Sequence, residues 1–565
     1  MSWIFGYFGN RERHQIDSPE TPIHSYQSYN LILYTGGNNK TIFHKSDTLN
    51  SSCWAAAGVG LKQSGNGYIN LNTSGWNNYL SPREVDLSEV NGHYVALKYA
   101  DDELKFFADE LGLREIFLVK LSGGWGFTTR IDWLKHFIDP DFGLQEFGAR
   151  WLLQNQISRG SIIKNVKRLV CASATIKNNI LKVEENPWQP DFEVEGGKEK
   201  FESTLKQLLS IGKKKTSLSL SGGLDSRLLL SYLLNKYSEQ WETHTFGDPN
   251  HPDSKIASEL LKSVNLENII INEAIPSKEK AIELLRNFAL QSVVTSRISS
   301  ILNLRFYDLI AAENKVIVDG GFGEMWRREF ANKFLLLGKK ALLAKDVEKT
   351  FRLFSDSKPD LFSEDAIKEM RVGSVSQIEN IFSELPDANE INLENWLDIF
   401  TIRARLINTS APEQARVDNY AVSFMPFIQK DILKILFSFS VKERKNGKLF
   451  KDIIRRNATA LTRIPLVKGN ITYPFGASSL SARVYSKFKK KTGLSYKGKR
   501  IDEILTFLRD FILDLLNSSR VRNYELYDRR KIERLAKGFS SNSAEFNSEI
   551  DWFLSFELFR QGISK

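Results

Sequence analysis

The stretch Ser217 to Leu230, SLSLSGGLDSRLLL, gathers small hydroxyl residues, two adjacent glycines and one carboxylate into a turn between a β-prone run and a leucine-rich helix. Gly222 and Gly223 let backbone amides approach a phosphate group, Ser221 and Ser226 add hydroxyl donors, and the helix start contributes partial positive charge. Each anion–dipole contact is worth only about 0.3–1 kcal/mol, so several must converge on one ligand. Asp225 does not belong in a pure anion cradle, because its charge repels phosphate; holding Mg²⁺ against the phosphates accounts for it. The plain alternative is a strand, turn and helix with no ligand. A Walker-type loop is not available: Gly493 to Lys499 has the Gly-x4-Gly-Lys spacing, but Arg500 replaces Ser or Thr and no strand precedes it.

Such a turn needs a rigid frame. The β-branched runs Thr216–Leu220, Thr243–Phe246 and Val316–Val318 are each followed by Gly or Asp and then a helical stretch, which predicts parallel strands whose carboxyl-terminal loops face a ligand. Before them, about 185 residues alternate in short apolar segments, such as Tyr29–Tyr34, Tyr94–Tyr99 and Ile116–Val119, separated by turns like Thr35–Asn39, and read as mostly strand. The proline-bracketed Asn186-Pro187-Trp188-Gln189-Pro190 marks the join, with a β-rich domain at 1–190 and an α/β domain at 191–565. From about Glu394 the periodicity is helical nearly to the end, with Ile501–Leu516 and Ile550–Phe559 amphipathic and a helical extension from about residue 485.

At 565 residues, 42% apolar and 26% charged, the chain has room for roughly two to four domains and enough apolar surface to fold. Cys53 and Cys171 cannot build a disulfide framework, and no C-x-x-C or His/Cys cluster offers structural zinc, which fits a reducing, cytoplasmic location. Lys plus Arg at 78 against Asp plus Glu at 68 gives +10, a mild bias toward anionic partners that does not call for nucleic acid. The run Lys487, Lys489, Lys490, Lys491, Lys497, Lys499 and Arg500 is either a solvated face or a tether for an acidic peptide or phosphorylated substrate. There is no run of about 18 apolar residues. Met1 to Asn10 shows no basic region followed by a long apolar stretch, so neither a membrane span nor export is expected. No Gly-x-Ser-x-Gly elbow supports a serine hydrolase.

Ser221-Gly222-Gly223-Leu224-Asp225-Ser226 resembles the pyrophosphate loop of N-type ATP pyrophosphatases, which cleave ATP between the α and β phosphates and adenylate a substrate. Lys315–Trp326, KVIVDGGFGEMW, is similar without a gap to the second signature of the asparagine synthetase family, K-V-V-L-S-G-E-G-A-D-E-L. Lys448–Arg455, KLFKDIIR, resembles that family's late K-x-x-L-R helix, Phe424–Ile428 its R-x-P-F-L-D segment, and Thr245-Phe246-Gly247 its T-x-G-F strand end beside the adenine. Gly92–Ala96 is similar to its G-x-F-A strand, Phe107–Arg114 to its R-D-x-x-G hairpin and Trp552–Phe559 to its closing helix. The resemblance covers nearly the whole chain, with its specific motifs in the second half.

It implies an Ntn-hydrolase-like glutaminase domain followed by an adenine-nucleotide α-hydrolase-like synthetase domain, working on ATP with Mg²⁺. ATP would place its adenine near Phe246 and its phosphates among Ser219, Ser221, Gly222, Gly223, Leu224, Asp225, Ser226 and Gly320, with Mg²⁺ between Asp225 and Glu324. Lys451 would stabilise pyrophosphate and the developing oxyanion, with Arg455 one turn on. Glu324, followed by Trp326 and Arg327, has a structural salt bridge as its alternative, and a helical lysine such as Lys451 ordinarily lies on a solvated face. The family's second-loop Glu is Gly321 here, and Asp319, where Ser is usual, is the nearest carboxylate to replace its charge. Arg227 and Trp326-Arg327-Arg328 depart from the family and are expected to shape the substrate pocket. His251-Pro252-Asp253-Ser254 leads into a helix Lys255–Lys262 with Asp253 or Ser254 as N-cap, and no metal role is expected of His251.

Family members that hydrolyse glutamine begin Met-Cys-Gly-Ile, whereas this chain begins Met1-Ser2-Trp3-Ile4. Ser2 could serve as an N-terminal nucleophile with its own amine as base, but a hydroxyl is weaker than a thiol, no R-G-P-D segment is found, and Cys53 is internal. An inactive amidotransferase domain joined to a synthetase domain is similar to β-lactam synthetase, carbapenam synthetase and lasso-peptide cyclases, which adenylate a carboxylate for attack by an amine of the substrate. The expectation is an ATP-dependent, AMP-forming carboxylate–amine ligase acting on a small molecule or peptide, as in macrolactam or β-lactam formation. The alternatives are an asparagine synthase using glutamine or ammonia, a tRNA-modifying pyrophosphatase that the second and third motifs disfavour, and an inactive nucleotide-binding scaffold.

Overall fold

In the computed structural model, residues 2–10, 16–47, 50–211, 216–236, 240–272, 275–303, 315–328, 332–356, 358–492, 496, 500–541 and 544–564 are described. The alternating N-terminal segments form β1 (Trp3–Gly9), β2 (His24–Gln27), β3 (Leu31–Gly36), β4 (Ile42–Asp47), β5 (Ser52–Ser64), β6 (Gly67–Asn70), β7 (Asn91–Ala100), β8 (Glu103–Ala108), β9 (Ile116–Leu121), β10 (Gly124–Thr128), β11 (Val166–Leu169), β12 (Ala172–Lys177) and β13 (Ile180–Glu185). They build two antiparallel sheets, ordered β11-β9-β10-β1-β3-β2 and β13-β12-β8-β7-β5-β4, with β6 paired to β5. Ile4, Leu31, Leu33, Leu118 and Phe127 of the first sheet meet Ala55, Ala57, Val95, Leu97 and Phe106 of the second in one buried layer. Period-two alternation therefore becomes a face-to-face sandwich. The hairpin after β8 is held by Asp109, whose carboxylate accepts backbone N–H groups from Tyr94, Leu111, Leu113 and Arg114.

The second region is built on β14 (Thr216–Ser219), β15 (Trp241–Phe246), β16 (Ile269–Ile271), β17 (Val316–Val318) and β18 (Val422–Phe424). All neighbouring pairs are parallel and the order is β16-β15-β14-β17-β18. The chain leaves the central β14 toward one edge, then returns to the other side of β14, and the two directions part between β14 and β17. In an open parallel sheet, that parting leaves a crevice at the carboxyl ends of the strands. The Ser221 turn follows β14 and the Asp319 turn follows β17, so the two turns lie side by side at that end.

The helical reading of the last third needs correcting in three places. Strand β18 and the hairpin β19 (Leu466–Lys468) and β20 (Ile471–Tyr473) interrupt it, each three residues long and too short to register as alternation. Ile501–Leu516 is two helices, Arg500–Phe507 and Arg509–Asn517. Within the helix Asn547–Ile563, every residue from Ile550 to Phe559 is buried, so this helix is enclosed rather than amphipathic. Phe142, Phe147 and Trp151 of the N-terminal region pack around Phe556 in tilted and edge-on contacts at 5.3–5.7 Å between ring centres. Its two buried acids are satisfied: Asp551 accepts from the Ser299 amide and hydroxyl, and Glu557 from Tyr527 and Arg560.

The two regions share surfaces as well as a chain. Helix Leu144–Leu152 of the first crosses helix Glu364–Glu384 of the second at a pair of glycines: a Cβ at Gly148 would lie 2.2 Å from the Met370 carbonyl oxygen, and one at Gly373 2.1 Å from that of Gln145. The connector is pinned too, since Trp188 is buried and its carbonyl accepts from Arg403 at 3.1 Å. Cys53 and Cys171 are both buried and unbridged, and burial pushes both thiols up. Among the described residues, no helix is long and apolar enough to cross a membrane.

Candidate functional site

Two glycine-containing turns meet at the mouth of the sheet. The first leaves β14 and enters helix Leu224–Leu233 through Gly223, with no side chain capping the helix start. The second leaves β17 through Asp319, Gly320 and Gly321. Phe322 then takes a left-handed conformation at φ 61°, which costs a bulky residue about 1–2 kcal/mol, before the short helix Gly323–Trp326. The turns touch through glycine: a Cβ at Gly320 would lie 3.0 Å from the Ser226 amide nitrogen, and one at Gly323 2.3 Å from the Asp225 carboxyl carbon. Gly321 is equally constrained, because a Cβ there would lie 2.6 Å from Met425 Sδ. The crevice is lined by Ser219 and Phe246 from the first side, Asp319, Gly321, Phe322 and Glu324 from the second, and Ser410, Glu413, Gln414 and Val417 from the helix Ile407–Val417.

Its charges come in pairs. Arg327 Nε and Nη2 donate to Asp225 Oδ1 and Oδ2 at 2.6 and 2.8 Å, a bidentate fork, and Arg405 Nη1 donates to Glu324 Oε1 at 2.8 Å. Arg405 sits in a widened π-helical segment, Thr401–Leu406, just before the proline-containing helix Ile407–Val417, and its guanidinium lies 5.1 Å over the Phe322 ring. Asp319 is different. Protein packs densely around it, while its carboxylate stays open to the water of the crevice. Desolvation by those walls and the negative charge of Glu413 push its carboxyl up to about 6, against the pull of the Gly321 amide donating to Oδ1 at 2.6 Å.

Asp225 and Glu324 do not fit Mg²⁺ in this arrangement. Both Asp225 oxygens already face a guanidinium, and Mg²⁺ demands near-octahedral oxygen coordination at about 2.0–2.1 Å. The alternative for Glu324, a salt bridge, is the arrangement found, with Arg405 as the partner. Among the described residues, no group of three or more His, Cys, Asp or Glu could hold a metal ion.

The amides of Ser221, Gly222 and Gly223 are engaged within the protein. Ser226 Oγ accepts from the Ser221 amide and lies 3.1 Å from Ser221 Oγ, the Gly223 amide donates to Ser221 Oγ, and the Gly222 amide donates to Asp253 Oδ1 at 2.9 Å. Asp253 is thus not the N-cap of its helix. His251 caps Pro252–Lys262, its Nδ1 accepting from the Asp253 amide, because Pro252 takes the first helical position. Gly222 lies beneath the β19–β20 hairpin, where a Cβ would be 2.3 Å from Val467. The Leu224 side chain is in the core.

Arg227 does not shape the pocket. It is fully buried and donates to the carbonyls of Leu461, Ile464 and Pro465, and burial lowers its guanidinium to about 9. Trp326 and Arg328 are likewise structural: Trp326 Nε1 donates to the Phe427 carbonyl, and Arg328 joins Arg444 on Asp398. Arg327 of that trio pairs instead with Asp225. Lys451 is 7% exposed, not on a solvated face, and donates to the Ala477 carbonyl at 2.7 Å. Its helix, Lys448–Asn457, begins beside Leu224 and Arg327, while Arg455 is turned outward to Asp452. On helix Ser479–Lys491, Lys487 and Lys491 are exposed and Lys489 donates to the Thr472 carbonyl; Lys497 and Lys499 lie outside the described residues.

Ser2 lies far from solvent, at 0% exposure, with its hydroxyl paired to Thr41. Around it, Arg114 donates to the Ser2 carbonyl at 2.7 Å and to Asp418 Oδ2 at 2.9 Å, and His93 Nε2 meets Asp418 Oδ1 at 2.9 Å. Asp418 ends the helix that lines the crevice, so the second region closes over Ser2.

Neither a protein-family model nor a curated protein matches the chain. Sequence reasoning missed Arg405 and Glu413. They lie 81 and 89 residues from Glu324 along the chain, and only Pro412, a break inside a helical pattern, marked their neighbourhood.

Proposed function

We propose that this protein is an ATP-dependent, AMP-forming ligase that joins a carboxylate to an amine. The supporting observation is the apposition of the Ser221–Ser226 and Asp319–Glu324 turns at the carboxyl ends of adjacent parallel strands, packed glycine to carboxylate. The resemblance of both turns to the asparagine synthetase family supports the chemistry, and with it an adenine-nucleotide α-hydrolase-like fold here and an Ntn-hydrolase-like fold for the sandwich. Phe246 flanks the adenine and the Ser221 turn faces the phosphates. A substrate carboxylate attacks the α-phosphorus, the bond to the bridging oxygen breaks, and pyrophosphate leaves an acyl adenylate. An amine then attacks the acyl carbon and AMP departs with the bonding pair. Asp319, raised toward neutrality, takes the proton lost by the amine. Lys451, swung from the Ala477 carbonyl, stabilises the oxyanion. The amine belongs to the substrate, since Ser2 is sealed beneath Asp418.

Incubating the protein with ATP and candidate amino-acid or peptide substrates, and separately with aspartate plus glutamine or ammonium, tests this. AMP and pyrophosphate released in equal amounts only with a substrate carrying its own amine support the reading. Asparagine formed with ammonium would replace it with an asparagine synthase. ATP bound without AMP release on any substrate would leave a nucleotide-binding scaffold, a reading the arginine-held Asp225 favours.

A further inference from the structure

We propose that Arg327 and Arg405 stand where a divalent cation would bridge Asp225 and Glu324, so that the crevice receives a nucleotide's polyphosphate on two guanidinium groups rather than on a resident metal ion. The guanidinium half of this stands on geometry alone; the polyphosphate half rests on the ligase reading. Asp225 offers its two oxygens to one fork, at 2.6 and 2.8 Å, in the bidentate geometry that Arg makes with carboxylate and phosphate alike. A metal ion on the same oxygens would meet a cation of like sign. Glu324 is engaged by Arg405, which is itself positioned over Phe322. The pairs are 14–26% exposed, so solvent and ligands reach them. A guanidinium carries five N–H donors, enough to hold a carboxylate and a phosphate oxygen together. Gly323 completes the arrangement, because any side chain there would displace the Asp225 carboxylate that aims Arg327.

The test measures Mn²⁺ binding to the ligand-free protein by electron paramagnetic resonance, and ATP binding by calorimetry in EDTA and in Mg²⁺. Wild type should bind no Mn²⁺ that Asp225→Asn removes. Arg327→Met should gain a Mn²⁺ site that the added Asp225→Asn change abolishes. Wild-type ATP affinity should agree within about twofold between the two buffers, and Arg327→Met should weaken it in EDTA by about tenfold to a hundredfold, the loss of a charge-assisted fork. A wild-type Mn²⁺ site lost in Asp225→Asn, or ATP binding abolished by EDTA, overturns the proposal. If Arg327→Met does not fold, the wild type and Asp225→Asn still decide it. If ATP binds in neither buffer, the ligase reading and the polyphosphate half fall together, and Mn²⁺ binding still decides whether arginine has replaced the metal.

Discussion

Two clusters of carboxylates and arginines sit at opposite ends of helix Ile407–Val417, and they differ in how much water reaches them. Asp418 with Arg114 and His93 is 0–1% exposed, while Asp225 with Arg327 and Glu324 with Arg405 are 14–26% exposed. The same groups therefore do different work. In a sealed pocket, removing one partner strands a desolvated charge, so the cluster acts as a permanent fastening between sandwich and sheet. At the crevice, water and ligands compete for the same donors, so the pairs can exchange partners at small cost. Exposure, more than residue type, separates a fastening from a site.

The largest effect should come from the sealed cluster. Asp418→Ala leaves Arg114 and His93 without their carboxylate and should cost about 3–5 kcal/mol in equilibrium denaturation. Arg327→Met, the matching change at the crevice, should cost about 1 kcal/mol or less. Equal losses would break the comparison.

Lys451→Met should lower the rate of AMP release by about 10²–10³, measured on a substrate that supports turnover, because the cation that swings to the oxyanion is gone. A near wild-type rate would make Lys451 a structural tie to Ala477 and nothing more.

Ser2→Ala sharpens the contrast from the sandwich side. It removes a buried hydroxyl bond to Thr41 and should cost about 0.5–1.5 kcal/mol, with no change in ammonia release from glutamine. A drop in ammonia release would show that glutamine reaches the sealed cluster.

The smallest effect is one of pH. With the Asp319 carboxyl near 6, AMP release should rise with pH through about 6, and Asp319→Asn should lose that limb. The sign for stability is opposite. The native state holds this proton more tightly than the unfolded chain, whose value is 3.8, so ionisation lowers stability as pH rises through the window from 3.8 to about 6. Thermal unfolding of Asp319→Asn should lack that slope.

Much of the frame was legible in the sequence because local pattern carries it. Val316–Val318 forms the strand expected of it, and Thr216–Leu220 and Thr243–Phe246 match theirs within two residues at either end. The Ser221 and Asp319 turns touch because the strands that carry them lie side by side. Pairing across long separations was not legible. No spacing rule links Glu324 to Arg405 or Asp225 to Arg327, and nothing local distinguishes Arg227, bound to the carbonyls of residues 461–465, from an arginine aimed at a substrate. Short strands such as β18 and β19 were missed because, unlike Val316–Val318, no unbroken β-branched run marks them. Ile550–Phe559 was misjudged because Asp551, Ser555 and Glu557 read as a solvated stripe, whereas each is buried against a partner, Ser299, Ser296 and Tyr527 respectively.

That enclosed helix has a consequence for biosynthesis. Phe142, Phe147 and Trp151 find their partner, Phe556, roughly 400 residues later in the chain. At the usual elongation rate of about 5–20 residues per second, these rings wait about 20–80 s for Phe556, although Phe362 reaches Phe147 and Trp151 sooner. Until that helix is made the nascent chain carries these rings only partly covered, and a premature stop before residue 547 would leave them without Phe556.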